Sequence, residues 1–302
     1  MTRCGLCLAV FFVAGAAVAA AQDVDTDYQS LQDAVAKKDV AAIKKLAAET
    51  SALARQEIAK PGETDPDMAK KRIEDLHDID TYTEYALYAT AVQSEAPVMV
   101  DLIATLEKQN PKSKYLDAAY RIYLPALVKT GASAKIPEIA EKAVANFPEN
   151  PDLLYVLANH AASHGQTERE LTFSNRIIAL WSSHPKPPEG VTEAEWDRER
   201  DVSLGPCYYM AGMAYAATSH WLDADKDLRA ALPYAKGNST TYANALFTLG
   251  LANYNLGKMT MNKARVLEGA KFSEQAAAIQ GPMTQQAWKN AQVMKTEAAG
   301  MR

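Results

Sequence analysis

Among the residues of this 302-residue chain, His160 and His164, in the run His-Ala-Ala-Ser-His, have the spacing that most invites chemistry. One helical turn apart, their imidazoles could approach one metal ion. No Glu follows the first His, as a zinc protease requires for its general base, and no third ligand lies at a fitting distance. Ala161, Ala162 and Gly165 around them read instead as the first helix of a helical hairpin. Glu193, Glu195, Asp197, Glu199 and Asp201 could supply paired carboxylates for acid and base work. They alternate with Arg198 and Arg200, which is the pattern of a solvated charged face. A helical hydrolase or metalloenzyme would rest on these two features alone. Cys207, flanked by Pro206, Tyr208 and Tyr209, reads as a small apolar residue rather than a reactive thiol. His77, His184 and His220 are isolated, which suits surface or capping roles. Asn238-Ser239-Thr240 fits a glycosylation sequon, yet with Gly237 these residues also serve to stop one helix and cap the next. With no glycine-rich phosphate loop and no Gly-x-Ser-x-Gly elbow, neither a catalytic centre nor a cofactor is expected.

What positions these residues begins with the leader. Arg3 precedes an apolar run from Leu6 to Val18 and then Ala19-Ala20-Ala21, the order of a secretory signal peptide with cleavage after Ala19 or, preferably, Ala21. A retained anchor is the alternative, and its positive flank is a single arginine. Cys4 and Cys7 lack the small-residue tripeptide of a lipoprotein signal. No later stretch is apolar and long enough to span a bilayer, so the expectation is an exported chain, periplasmic or secreted, without stable membrane insertion after cleavage. There Cys207 is the one remaining cysteine, no internal disulfide can form, and stability must come from helix packing. With 32 basic and 37 acidic residues the net charge is −5, which argues against nucleic acid as a partner.

Apolar residues recur at helical spacing almost throughout, and Gly and Pro fall mainly at junctions. The pattern predicts helix pairs at 28–38 with 40–58, 66–94 with 97–109, 113–130 with 134–147, 151–164 with 167–181, 203–218 with 220–235, and 240–256 with 264–279, then an unpaired helix at 283–298. A similar pair returning every 34 to 40 residues marks an all-α solenoid, in which each pair buries its apolar face against its neighbours. The expected organisation is a signal peptide at 1–21, degenerate N-terminal pairs at 22–110, repeats at 111–181, a Pro-rich insert at 182–203, repeats at 204–282, and a capping helix with its tail at 283–302. The insert, with Pro185, Pro187, Pro188 and Gly190, should be an exposed connection holding at most a short helix begun by the Thr192/Glu195 capping box. In the last helix Ala287, Trp288, Ala291 and Met294 should cover the final repeat.

Tyr208, Ala211, Gly212, Tyr215, Ala224, Leu228 and Ala231 fall at the spacing of the tetratricopeptide repeat (TPR), and this unit resembles that family. Leu246, Leu249, Gly250, Ala270, Ala277 and Pro282 follow if about eight residues, around Lys258 to Leu267, lengthen the turn; Gly257 would end the first helix. Leu154, Leu157, Ala158 and Gly165 continue the pattern upstream, though Glu170 sits where a small residue is preferred, and Tyr120, Leu124, Gly131, Ala140, Ala143 and Pro148 precede it by one step. The resemblance covers residues 113 to 282. It implies a concave binding face lined by the first helix of each pair, on which Tyr155 and Asn159, Tyr209 and Met213, and Phe247 and Leu251 point into a groove, with Asn244, Tyr254 and Asn255 nearby. Aromatic rings bury area at little entropic cost and amides pair with extended backbone, so such a groove suits a peptide. The same rings would also serve packing between repeats. The expected role is a non-catalytic scaffold holding a protein or peptide partner; the rival is a solute-binding module with the Pro-rich insert as lid. The groove positions lack the lysine and arginine that TPR adaptors use to clamp a C-terminal carboxylate.

Overall fold

The computed structural model of the chain describes residues 23–60, 62, 65–183, 186, 187 and 192–301. The signal peptide, His184, Pro185, Pro188 and Gly190 lie outside the described residues. Those described form an all-α architecture with no strand, divided into two compact units within which successive helices pack together.

The first compact unit runs to Thr90 and holds α1 (Val24–Lys37), α2 (Val40–Ala59) and α3 (Pro66–Val92) up to its last turn. Val24, Ala54, Leu76 and Ile79 form its shared core. Arg72 on α3 ties it at the rim, donating to Glu57 on α2 and Asp25 on α1. On the other side Ser51 and Arg55 of α2 both donate to Asp80 of α3, at 2.6 and 2.8 Å.

The second unit begins at Ala91 and holds α4 (Ala96–Gln109), α5 (Lys114–Lys129), a 3-10 turn (Ser133–Lys135), α6 (Ile136–Ala143), α7 (Pro151–Ser163), α8 (Thr167–Ser183), α9 (Glu193–Ala217), α10 (Trp221–Ala235), α11 (Ser239–Met259), α12 (Lys263–Ala277) and α13 (Thr284–Gly300). One device closes the first helix of each hairpin. A residue in the left-handed region is followed by one whose N–H reaches back five positions: Ala132 to Leu127, Gln166 to Ala161, His220 to Tyr215 and Asn262 to Gly257. Gly131 and Gly165 supply the positive φ at no steric cost; Ser219 and Met261 adopt it at φ 61 and 52. Asp39, bonded to Ala34 behind Lys38, repeats the device in the first unit.

These turns expose where the repeat is stretched. Gln166 follows Ala132 by 34 residues, whereas Asn262 follows His220 by 42. The expected lengthened turn is corrected. The turn keeps its short form at Thr260 to Asn262, and the eight extra residues extend α11, adding a little over two turns at about 3.6 residues each. Gly257 therefore lies inside α11, not at its end; a Cβ there would stand 2.7 Å from the Val266 nitrogen of α12. The insert at 182–203 is corrected likewise. The Thr192/Glu195 capping box is present, but the helix it starts does not stop at Ser203; it runs through Pro206 to Ala217 as α9. Between the cap and Leu204 nothing breaks helix, and Pro206 removes only the donor that would have met the carbonyl of the exposed Val202.

Where α11 crosses α12 the backbones nearly touch. A Cβ on Gly269 would lie 2.7 Å from the Gly250 carbonyl oxygen and 2.9 Å from the Tyr254 nitrogen, so any larger residue drives the helices apart. A buried polar network links both to α10. The Asn253 amide donates to Asp225 Oδ1 at 2.6 Å and to the Leu249 carbonyl at 3.0 Å, while its oxygen accepts from Arg229 and Arg265. Arg229 also donates to Asp225 at 2.7 Å and pairs with Glu268 at 2.9 Å. In α13 the buried stripe is Ala287, Ala291, Met294 and Ala298. Trp288, expected on that side, is 58% exposed, because it lies about 100° around the helix from Ala287, off the stripe of Ala287, Ala291, Met294 and Ala298.

Candidate functional site

The first turn of α7 is held unusually firmly. Asn150 caps it, accepting from the Leu153 N–H at 3.0 Å, and its amide donates to both the carbonyl and Oδ1 of Asp117 on α5, each at 2.8 Å. Pro151 follows at the helix start, where its missing N–H costs nothing. Asp152, next in line, is thereby placed between α5 and α9.

Trp181, near the end of α8, meets Trp196, in the first turns of α9, edge to face with ring centres 4.6 Å apart. Three residues beyond Trp196, Glu199 forms an ion pair with Arg121 on α5. The early turns of α9 thus strap one end of α7 and close a cavity of about 640 Å3 whose wall includes Asp117, Arg121, Phe147, Asp152, Trp181 and Trp196. Arg121 and Asp152 also border a second hollow of about 500 Å3 between α5 and α7, shared with Tyr120, Leu124 and Tyr155. A third, about 170 Å3, reaches Arg198 and Val202 beyond the strap.

The polar groups here are not all satisfied. The indole nitrogens of Trp181 and Trp196 are buried without a hydrogen-bond partner among the described residues, and Trp181 is only 6% exposed. Asp152 makes no hydrogen bond or ion pair among the described residues, and burial pushes its carboxyl above the usual range despite the opposing pull of Arg121. Glu199 and Asp117 raise it further. Glu149 adds another carboxylate at the mouth, where Arg121, already paired with Glu199, is the cation of the main cavity wall.

Of the nine positions expected to line a groove, Tyr155 borders the second hollow, 38% exposed, with its phenol pushed up by burial. Asn159 is exposed one turn later. Tyr209 and Met213 pack against Leu228, Ala245 and Leu249, and Thr248 donates to the Met213 sulfur at 3.4 Å. Phe247 packs beside Leu246, Ala276 and Ala287; Leu251 and Tyr254 pack on Val266, Ala270, Met294 and Ala298. The Tyr254 hydroxyl donates to Glu297 at 2.9 Å, Asn255 donates to the Leu251 carbonyl of its own helix at 2.8 Å, and Asn244 is half-buried. The structure therefore does not bring the nine together; most of them sit in the seams between helices.

The other candidates take structural parts. His164 Nδ1 donates to the His160 carbonyl at 2.8 Å and the two rings lie 4.2 Å apart, closing the end of α7. Burial pushes the Cys207 thiol up to about 12, which leaves it a packing residue. Asn238 caps α11 through Thr241. Asp197 and Asp201 both engage Arg200. Arg121, Asp152, Trp181 and Trp196 were not singled out from the sequence. The available signal was the pair of tryptophans flanking the Pro-rich stretch, since large rings beside an otherwise polar connection need something to cover. No protein-family model matches this chain, and a search of curated proteins finds none similar to it.

Proposed function

We propose that this chain is an exported, non-catalytic scaffold of the TPR family that receives a peptide segment of a partner protein. The observation that carries the reading is the succession of hollows along α5, α7 and α9, the first helices of three consecutive hairpins, with Arg121 and Asp152 common to all three. An extended peptide presents side chains at regular intervals, and adjoining pockets along one face suit that geometry. The recurring turns, the 34-residue step from Ala132 to Gln166 and the small residues at the crossings support the family assignment. Placement outside the cytoplasm, periplasmic or secreted, rests on Arg3 and the apolar run that follows it.

A displayed random-peptide library panned against the chain lacking residues 1–21 tests this reading. Enriched peptides should protect α5, α7 and the start of α9 from hydrogen exchange, and Tyr155→Ala should weaken them. The cavity of about 640 Å3 favours one rival, a solute-binding module, because it falls within the size range of small-molecule sites. If no peptide is enriched while a small solute raises the melting temperature, the rival replaces the scaffold.

A further inference from the structure

The cavity under the α9 strap has a chemistry of its own. Its wall combines three aromatic rings, Phe147, Trp181 and Trp196, with four carboxylates, Asp117, Glu149, Asp152 and Glu199. Of these, Asp117 accepts from Asn150 and Glu199 is paired with Arg121, which uses up the arginine on the wall. Asp152 is left without a counter-charge in contact. The wall is thus acidic overall and bordered by aromatic rings, surroundings that favour a cation over an anion.

We infer that this cavity recognises a basic side chain, the ammonium of a lysine or the guanidinium of an arginine, presented by the bound peptide, with Asp152 as its counter-charge and Trp181 and Trp196 as its aromatic walls. The inference rests on the peptide-scaffold reading and names the chemistry of its partner. An acidic or neutral segment gains nothing from this wall, because seating an anion beside Asp152, Glu149 and Asp117 brings like charges together in a partly desolvated space. The stem of a lysine or arginine is apolar along most of its length, so it can lie against the indoles while its head meets the carboxylate. The raised acidity range of Asp152 agrees with this, since an incoming cation would supply the partner that burial now denies it.

The test uses four short Gly/Ser peptides that differ at one central position, which is lysine, arginine, norleucine or glutamate, together with N-acetyl-lysine methylamide as the bare side chain. Binding to the chain lacking residues 1–21 is followed by tryptophan fluorescence. The lysine and arginine peptides should bind at least about tenfold more tightly than norleucine, the size of effect expected of a desolvated cation against rings and a carboxylate. Asp152→Asn should remove most of that preference without changing the circular dichroism spectrum, and Trp196→Ala should lower affinity for all peptides. Equal binding of lysine and norleucine peptides overturns the inference and leaves the scaffold standing. Binding of N-acetyl-lysine methylamide as tightly as the lysine peptide upholds the cation site and removes the peptide reading. If none of the probes binds, or if Asp152→Asn keeps the lysine preference intact, the cation site falls.

Discussion

The seam of α10, α11 and α12 and the cavity of α5, α7 and α9 are built from the same kind of helical hairpin, yet they leave their polar groups in opposite states. In the seam, both ends of the Asn253 side chain are bonded, Asp225 has three partners, and glycine lets backbones come into contact. In the cavity, the Asp152 carboxylate has no bonded partner and two indole nitrogens are buried unpaired among the described residues. A solenoid can thus spend its polar residues on cohesion in one place and hold them open in another. The difference comes from spacing: α12 follows α11 after a tight turn, while α9 reaches back across α7 only because twelve positions more than in α7 separate its cap from its closing turn.

The sharpest way to break the seam is steric. Gly269→Leu should cost on the order of 3–4 kcal/mol in chemical denaturation, because the side chain meets the α11 backbone, which cannot move aside. Next, Asn253→Leu should cost about 2–3 kcal/mol, since it strips one partner from the buried Asp225 and the shared acceptor from Arg229 and Arg265 at similar volume. Loss of less than about 1 kcal/mol would mean that water satisfies Asp225 as well as the amide does.

On the cavity's side of the molecule the sign should reverse. Glu170, in the first turn of α8, is buried with no cation or donor on its carboxylate among the described residues, and burial pushes its acidity range up. Glu170→Ala, which removes the buried carboxylate, should therefore stabilise by about 1 kcal/mol at neutral pH. The folded chain holds this proton at pH values where the unfolded chain has lost it, so the destabilisation appears as pH rises through the raised range and is absent below the unfolded value. Thermal melts of the two chains should accordingly converge on acidification below about pH 4; a gain that persists there would assign the effect to helix propensity instead. Smallest of all, Trp196→Phe should change global stability by less than about 0.5 kcal/mol, because the indole nitrogen it removes has no partner to lose.

The helices themselves were legible because their signals are local. Asp39, Ser113, Asn150, Thr192, Asn238 and Asn262 all accept a backbone N–H at the start of the helix that follows them. Two boundaries escaped for the same reason. The Pro-rich stretch read locally as an insert running to Ser203 and Gly257 as a stop, but the helix begun at Thr192 continues to Ala217, and Gly257 lies under Val266, a tertiary contact that keeps it inside its helix. The site was less legible. Tyr155, Tyr209 and Phe247 recur at one repeat position whether they face a ligand or a neighbouring helix, and periodicity alone does not separate the two. Asp152 reads as an ordinary first-turn acid until α9 covers it, and that covering depends on how far a helix extends, which caps and hydrophobic periods do not encode for Glu193 to Val202.

The ion pair between Arg121 and Glu199 joins residues 78 apart in the chain, whereas the turns that define each hairpin close over five. During folding, contacts between adjacent helices can form as each hairpin arises, but this one must await the completion of α7 and α8 and the return of α9. It is also shallow, with Arg121 largely in solvent, so little holds it once made. That pair is expected to form late and to loosen early, leaving the Trp181–Trp196 contact to hold the strap, so amide exchange in Glu193 to Val202 should be faster than in the rest of α9 and should rise with salt. A bound peptide, on the reading proposed above, would enter beside the contact that forms latest.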